Sequence, residues 1–227
     1  NEGDSLVANT AADGLLANDN DLQGDTFAIT NVHGTEFAQS TSVDITFANG
    51  ASVTVHADGR YTFNTNGAYD HLAAGELDTL TFDYTITDDH GATDTASVTI
   101  NIIGTNDAPD ATDNSYQVNE SETITGNIIT DDTGDGVDSD IDGNPISITH
   151  IDGVELTFVN AIATVSVEDG SLTINQDGSF SYSHDGSQTA PTSFTYTISD
   201  GQGGSNTATV NFDVAQTRDY GFVGGTD

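Results

Sequence analysis

The chain has 227 residues and no cysteine, and its 37 acidic residues face only two arginines, which gives a formal net charge of −35 at pH 7. This composition excludes disulfide bonds and thiolate metal sites. It disfavours nucleic acid and anionic membranes as partners, because both bind basic protein surfaces. No apolar run approaches the roughly 20 residues that a membrane span needs. Because carboxylates brought together by folding repel one another, we expect divalent cations to offset their charge.

The chain contains an internal repeat. Residues 88–100 (DDHGATDTASVTI) and 200–212 (DGQGGSNTATVNF) share one pattern, and framework positions around them differ by 112 in number. The pairs with this separation are Gly14 and Gly126, Phe82 and Phe194, Tyr84 and Tyr196, Asp88 and Asp200, Ala96 and Ala208, and Val98 and Val210. The duplication predicts modules in an array rather than one active site.

In chain order, the first copy predicts strands separated by Gly, Asp and Asn turns. It opens in mid-module at Asn1, and an acidic loop follows at residues 18–25 (NDNDLQGD). Asp58-Gly59 predicts a hairpin turn, and residues 71–77 (HLAAGEL) could form one helical turn at most. Alternation of apolar and polar side chains predicts the last two strands over Leu80–Thr87 and Thr95–Ile103.

The second copy repeats this order, with a hairpin turn at Asp177-Gly178 and a longer acidic loop at residues 135–144 (DGVDSDIDGN). Each copy predicts a sandwich of about seven antiparallel strands. The fold class is therefore all-β, with two tandem immunoglobulin- or cadherin-like antiparallel β-sandwiches. The predicted divisions are an N-terminally truncated sandwich at 1–104, a calcium linker at 105–109, a second sandwich at 110–215 and a C-terminal connector at 216–227.

In this topology the acidic segments lie at the ends of each sandwich, and several should converge between the two modules. The residues expected there are Glu2, Asp70, Glu76, Asp78, Asn106, Asp107, Asp138, Asp140, Asp142 and Asp200. Together they offer enough oxygen atoms for calcium, which takes about six to eight ligands at about 2.3–2.6 Å. The sharpest pattern is Asp138-Ser-Asp140-Ile-Asp142-Gly143, where alternate Asp residues followed by Gly resemble the first half of an EF-hand loop. The Glu and the flanking helices of an EF-hand are missing, so a calcium loop of another architecture is expected.

The outer ends of the two modules carry related sets. Asp19, Asp21, Asp25 and Asp88, with Asp89, are expected to form half a calcium site that a preceding module completes. Glu120, with Glu122 and Asp185, would face a following module. Two other interpretations stay open. Asp and Gly are common in turns, which we favour for Asp58, Asp169 and Asp177; adaptation to high salt also adds acidic residues, but does not explain their clustering in loops.

Four segments resemble VCBS and bacterial cadherin-like repeats of secreted RTX-type adhesins. They are residues 14–21 (GLLANDND), 58–61 (DGRY), 82–88 (FDYTITD) and 104–109 (GTNDAP). The linker also resembles the calcium linker of cadherins, which implies roles for Asn106, Asp107, Asp138 and Asp140 at the junction. The resemblance implies export by type I secretion, a place on the bacterial cell surface, and a part in adhesion and biofilms.

Three classes of function were weighed. An enzyme is disfavoured, because the chain has no nucleophile elbow, phosphate loop or HExxH motif and its six histidines are dispersed without metal spacing. Paired Asp residues could serve glycoside hydrolysis, but are better explained as metal ligands. A module that binds surface glycans or peptides remains the alternative, although the chain has no Trp. We favour calcium-rigidified extender modules, monomeric, whose partners are neighbouring repeats of the same chain.

Overall fold

The computed structural model describes residues 1–37, 40–186 and 192–215. It divides into two compact units, unit 1 (Asn1–Asn106) and unit 2 (Asp107–Asp227). The predicted connector at 216–227 lies outside the described residues. Each unit is a sandwich of two sheets, so the predicted fold class is confirmed.

Unit 1 contains eight strands over residues 1–37 and 40–106. They are β1 (Leu6–Ala8), β2 (Phe27–Val32), β3 (Thr35–Glu36), β4 (Ser42–Thr46), β5 (Ser52–His56), β6 (Tyr61–Asn64), β7 (Leu77–Asp88) and β8 (Thr93–Ile103). One sheet has the order β1-β6-β5-β4 and the other β3-β2-β7-β8, with every neighbouring pair antiparallel. Two 3₁₀ helices, Ala11–Asp13 and Leu15–Asn18, follow β1. The acidic loop at 18–25 therefore runs from the second of these helices to β2.

Unit 2 contains nine strands in the described residues. They are β9 (Asn114–Asn119), β10 (Thr123–Asn127), β11 (Ser147–Ile151), β12 (Val154–Glu155), β13 (Ile162–Val167), β14 (Gly170–Asn175), β15 (Ser179–His184), β16 (Thr192–Ser199) and β17 (Ser205–Ala215). The sheets have the orders β10-β15-β14-β13 and β12-β11-β16-β17-β9. β9 pairs in parallel with β17, and the remaining pairs are antiparallel.

The alternation that predicted the strands places one face of each sheet in a core. In unit 1 the sheets enclose Val32, Val53 and Phe82. In unit 2 the rings of Tyr182 and Phe212 stack at 4.0 Å between the two sheets. Burying one large apolar side chain contributes about 1.5–3 kcal/mol, so each unit has its own source of stability.

Three local expectations differ from the structure. β7 and β8 are longer than predicted: β7 begins at Leu77, which pairs with Ile103, and β8 begins at Thr93, which pairs with Thr87. Asp78 consequently lies inside β7, opposite Ile102, rather than in the loop before it.

Gly14 does not correspond to Gly126. Leu15 N donates a hydrogen bond to Gly59 O, and Ile128 N donates the equivalent bond to Gly178 O, so Leu15 corresponds to Ile128. Their separation of 112 is a coincidence, whereas both Asp-Gly turns join hairpin strands as predicted.

Candidate functional site

A buried tyrosine defines equivalent positions at one end of each unit. Tyr84 OH lies 2.8 Å from Asp19 Oδ2 and 3.2 Å from Leu15 O. Tyr196 OH lies 2.9 Å from Asp138 Oδ1 and 3.4 Å from Ile128 O. Asp19 and Asp138 are therefore structural equivalents, although the loop that leads to Asp138 is longer. We call these the tyrosine ends of the units.

Asp138 is a buried and hydrogen-bonded carboxylate of the unit 2 tyrosine end. Only 7% of it is exposed, and Oδ1 accepts hydrogen bonds from Thr112 N at 2.8 Å and Thr112 Oγ1 at 3.2 Å. Burial raises the pKa of its carboxyl, and the bonds from Thr112 and Tyr196 offset only part of that effect. Burial together with the charge of Asp138 also raises the pKa of Tyr196, so its hydroxyl remains a donor.

The rest of the acidic loop carries two more carboxylates, one of them beside the linker residue Asp107. Asp107 N donates to Asp142 Oδ2 at 2.8 Å, and Asn144 N donates to Asp140 Oδ1 at 3.1 Å. The opposite oxygens, Asp140 Oδ2 and Asp142 Oδ1, are buried and make no hydrogen bond. A buried charged acceptor without a partner is costly. These oxygens therefore fit a cation that would satisfy them.

Asp200 completes this end from the turn before β17. It is 4% exposed, and Oδ1 accepts hydrogen bonds from Gln202 N at 2.7 Å and Gly204 N at 3.0 Å. In unit 1, Asp88 Oδ1 accepts from His90 N at 2.9 Å and Ala92 N at 2.7 Å. The same turn is thus built twice around an Asp carboxylate.

The unit 1 tyrosine end repeats the acidic loop in shorter form. Asp21 Oδ1 accepts from Gln23 N at 2.7 Å and Asp25 N at 3.0 Å, which matches the bond from Asn144 N to Asp140. The bond from the Asp25 backbone is the main cause that lowers the pKa of Asp21. Burial and the charge of Asp19 raise the pKa of Tyr84 to about 12. Asp19, Asp21 and Asp88 therefore correspond to Asp138, Asp140 and Asp200.

The unit 1 tyrosine end differs by one histidine that the sequence analysis did not select. One ligand atom each of Asp25, Asp88 and His90 lies within 4.8 Å of the other two. His90 Nδ1 is 3.1 Å from Asp25 Oδ2 and 2.9 Å from Asp89 Oδ1. Linear spacing could not reveal this group, since Asp25 comes from a distant loop; the only local sign was the run Asp88-Asp89-His90.

At the opposite end of unit 1, Glu2 is the organising carboxylate. It is 2% exposed, and Oε1 accepts from Thr105 N at 2.6 Å and Thr105 Oγ1 at 2.5 Å. Its second oxygen, Oε2, is buried without a hydrogen-bond partner. Glu76 lies near this strand end, because Gly104 N donates to its main-chain oxygen at 2.8 Å. Asp78 is exposed and accepts from Thr79 N at 2.7 Å.

Glu120 is the counterpart of Glu2 in unit 2. Glu2 precedes Leu6 by four residues, and Glu120 precedes Ile124 by four residues. Leu6 pairs with Phe63 and Ile124 pairs with Tyr182, which are matching positions of the two hairpins. The neighbouring Glu122 O accepts from His184 N at 3.1 Å, so this turn lies beside the strand end that precedes Asp185. The expected outer end of unit 2 is thus a repeat of the Glu2 end of unit 1.

The donor set fits calcium rather than a softer metal at two of these ends, the Glu2 end of unit 1 and the tyrosine end of unit 2. The buried oxygens of Glu2, Asp140 and Asp142 that have no partner are all carboxylate atoms, and calcium prefers oxygen ligands in flexible geometry. The structure brings Asp107, Asp138, Asp140, Asp142 and Asp200 into one unit and Glu2 and Asp78 into the other. That any of them binds metal stays a prediction.

The model of the bacterial cadherin-like domain family matches residues 1–104 and 106–216. No curated protein matches the sequence. Among solved structures, human mucin-like protocadherin EC1-2 is 12% identical with a TM-score of 0.40, covering 86% of each chain. The human desmocollin-1 ectodomain is 12% identical with a TM-score of 0.40 over 86% of this chain, which spans 34% of that ectodomain. In the described residues, no helix has the length and apolar character to cross a membrane.

Proposed function

The chain belongs to the bacterial cadherin-like domain family, in two consecutive copies, and from that premise we propose that it forms calcium-rigidified extender modules of a large bacterial surface adhesin. Domains of this family are extracellular modules of adhesion type that act beside neighbouring domains. The observation that carries the proposal is the set of buried carboxylate oxygens without hydrogen-bond partners in Glu2, Asp140 and Asp142.

The linker connects the two carboxylate sets that would hold calcium. Thr105 binds Glu2 of unit 1, and Asp107 binds Asp142 of unit 2. Calcium shared by the two sets would restrain the linker, and Pro109 would restrict it further.

The proposed ligands fall into three groups. At the junction they are Glu2, Asp78, Asn106, Asp107, Asp138, Asp140, Asp142 and Asp200. At the tyrosine end of unit 1 they are Asp19, Asp21, Asp25 and Asp88, and at the far end of unit 2 Glu120. Without metal, like charges within each group repel; calcium converts the same charges into ligands, and an array of modules becomes a stiff rod. We propose that such a rod, secreted by the type I route, holds a terminal binding domain away from the bacterium in adhesion and biofilms.

Calcium binding is tested by thermal unfolding of the two-unit chain in EDTA and in millimolar calcium. Extracellular modules bind calcium with dissociation constants of about 10⁻⁴ to 10⁻³ M, and one site stabilises by about 2.7 kcal/mol at a hundredfold excess over its constant. Asp140→Ala should lose much of the calcium increment. Asp135→Ala, at an exposed position of the same loop but outside the ligand set, should keep it. Superimposed wild-type curves in the two conditions would end the proposal.

The alternative, a calcium-dependent module that binds surface glycans or peptides, needs its own measurement. A glycan and peptide array probed with the two-unit chain should give no saturable signal, with or without calcium. One reproducible hit that soluble ligand competes away would replace the extender role by direct adhesion.

A further inference from the structure

An imidazole distinguishes the tyrosine end of unit 1 from its counterpart in unit 2. His90 is 71% exposed in its side chain, and its Nδ1 lies between Asp25 Oδ2 at 3.1 Å and Asp89 Oδ1 at 2.9 Å. One ligand atom each of His90, Asp25 and Asp88 lies within 4.8 Å of the other two.

The backbone fixes the segments that carry this group. The turn between β7 and β8 is closed around Asp88 Oδ1, which binds the amides of His90 and Ala92. The loop that carries Asp25 is closed by the bond from its own amide to Asp21 Oδ1. Asp89 N also donates to Thr26 O at 3.0 Å, which ties the two segments together. The candidate metal ligands therefore lie in two turns that hydrogen bonds restrain.

Unit 2 supplies an internal comparison for the same positions. The bond from Asn144 N to Asp140 Oδ1 matches that from Asp25 N to Asp21, so Asn144 corresponds to Asp25. Around Asp200, the amide of Gln202 takes the place of the amide of His90. Unit 2 thus has two carboxamides where unit 1 has a carboxylate and an imidazole.

We propose that Asp25, Asp88 and His90 form a binding site for a divalent transition metal of the zinc type. Zinc is bound by imidazole nitrogen and carboxylate oxygen at about 2.0–2.2 Å in tetrahedral geometry. That geometry places the ligand atoms about 3.4 Å apart, so groups already within 4.8 Å need only small side-chain rotations. Water or Asp89 supplies the fourth ligand.

The nitrogen ligand separates this site from a calcium site. Calcium takes oxygen ligands, so His90 adds little to calcium affinity, whereas imidazole suits zinc and its neighbours in the first transition series. Because Asp25 and Asp88 are also proposed calcium ligands, the two metals would compete at this end, but zinc binding does not depend on calcium at the junction.

The test is a calorimetric titration of metal-free two-unit chain with zinc chloride, without calcium. The wild type should bind one zinc ion more tightly than any other. His90→Gln and Asp25→Asn, which copy the side-chain types of unit 2, should each weaken this binding by at least about tenfold, since even outer-shell changes cost about 10–100-fold. His71→Gln, at another exposed histidine, and Asp140→Ala, at the calcium junction, should leave it unchanged.

Imidazole ¹⁵N resonances provide a second readout that does not depend on heats. The His90 resonance should move first as zinc is added, and thermal unfolding of His90→Gln in EDTA should match the wild type. Equal zinc affinity of wild type and His90→Gln, no zinc binding by the wild type, or another histidine moving first would each overturn the assignment. Loss of calcium stabilisation in Asp140→Ala with zinc binding retained would separate this inference from the calcium proposal.

Discussion

Replacing Asp138 by Asn should have opposite effects on stability without and with calcium. Asp138 is buried, and its carboxyl pKa is raised above the ordinary value of 3.8, chiefly by that burial. The ionised carboxylate therefore costs stability at neutral pH when no metal is present. An Asn side chain can still accept the bonds from Thr112 and can donate to the Tyr196 oxygen, so removal of the charge should be a net gain.

The size of the effect follows from linkage. A carboxyl pKa that folding raises is a cost of keeping the group charged at neutral pH, so Asp138→Asn should raise the free energy of unfolding in EDTA. With calcium at a hundredfold excess, the wild type gains about 2.7 kcal/mol per site. The variant should lose much of that gain, because a neutral amide binds calcium less strongly, and the order of stability should reverse.

Differential scanning calorimetry at pH 7 in EDTA and in calcium measures both states. The native protein binds the Asp138 proton more tightly than the unfolded chain does, so wild-type stability falls relative to the variant as pH rises from 3.8 through the folded-state pKa. In EDTA the difference should vanish below pH 3.8. Asp177→Asn is the matched control: the hydrogen bonds from Ser179 lower the pKa of Asp177, so that variant should lose stability equally in both conditions. An Asp138→Asn protein less stable than wild type in EDTA would refute the argument.

Three further predictions concern the framework. Tyr84→Phe and Tyr196→Phe should each lower the free energy of unfolding by about 1.5–3 kcal/mol, since each removes a hydrogen bond to a carboxylate. If chemical denaturation shows no change for either variant, the equivalence of the two ends is contradicted. Gly104→Ala should lower the free energy of unfolding by about 1–3 kcal/mol, because a Cβ there would meet two backbone carbonyl oxygens. Gly3→Ala, which has open space around it, should leave the free energy of unfolding unchanged. Calorimetry compares the two variants. Leu172→Ala should lower the free energy of unfolding of unit 2 by about 2–5 kcal/mol and should lower only the unfolding temperature of that unit. Equal shifts of both unfolding transitions would show that the units unfold together.

Local patterns predicted most of the fold. The alternating runs became strands, and the Asp-Gly pairs became hairpin turns, because both depend on residues close in sequence. The extension of β7 to Leu77 was missed, since it depends on backbone pairing with Ile103 rather than on side-chain pattern. The correspondence of Gly14 with Gly126 failed for the same reason: hydrogen bonds to the distant hairpin decide it.

The candidate site was predicted in outline. The run from Asp138 to Asp142 identified an acidic loop, and its spacing alone suggested inward-facing oxygens. The sequence could not indicate that Glu2 is almost fully buried against Thr105, because that contact joins residues from the beginning and the end of unit 1 in sequence. The predicted topology did group Asp25 with Asp88 and Asp89, but no pattern in the sequence marked His90 as a further ligand.

Small-angle scattering of the two-unit chain, in EDTA and in millimolar calcium, tests the central claim most directly. Calcium should give a longer and narrower distribution of interatomic distances than EDTA, because shared metal restrains the linker. Asp140→Ala should lose much of this difference while calorimetry shows both units folded. A wild type with the same distribution in both conditions would contradict calcium-dependent stiffening.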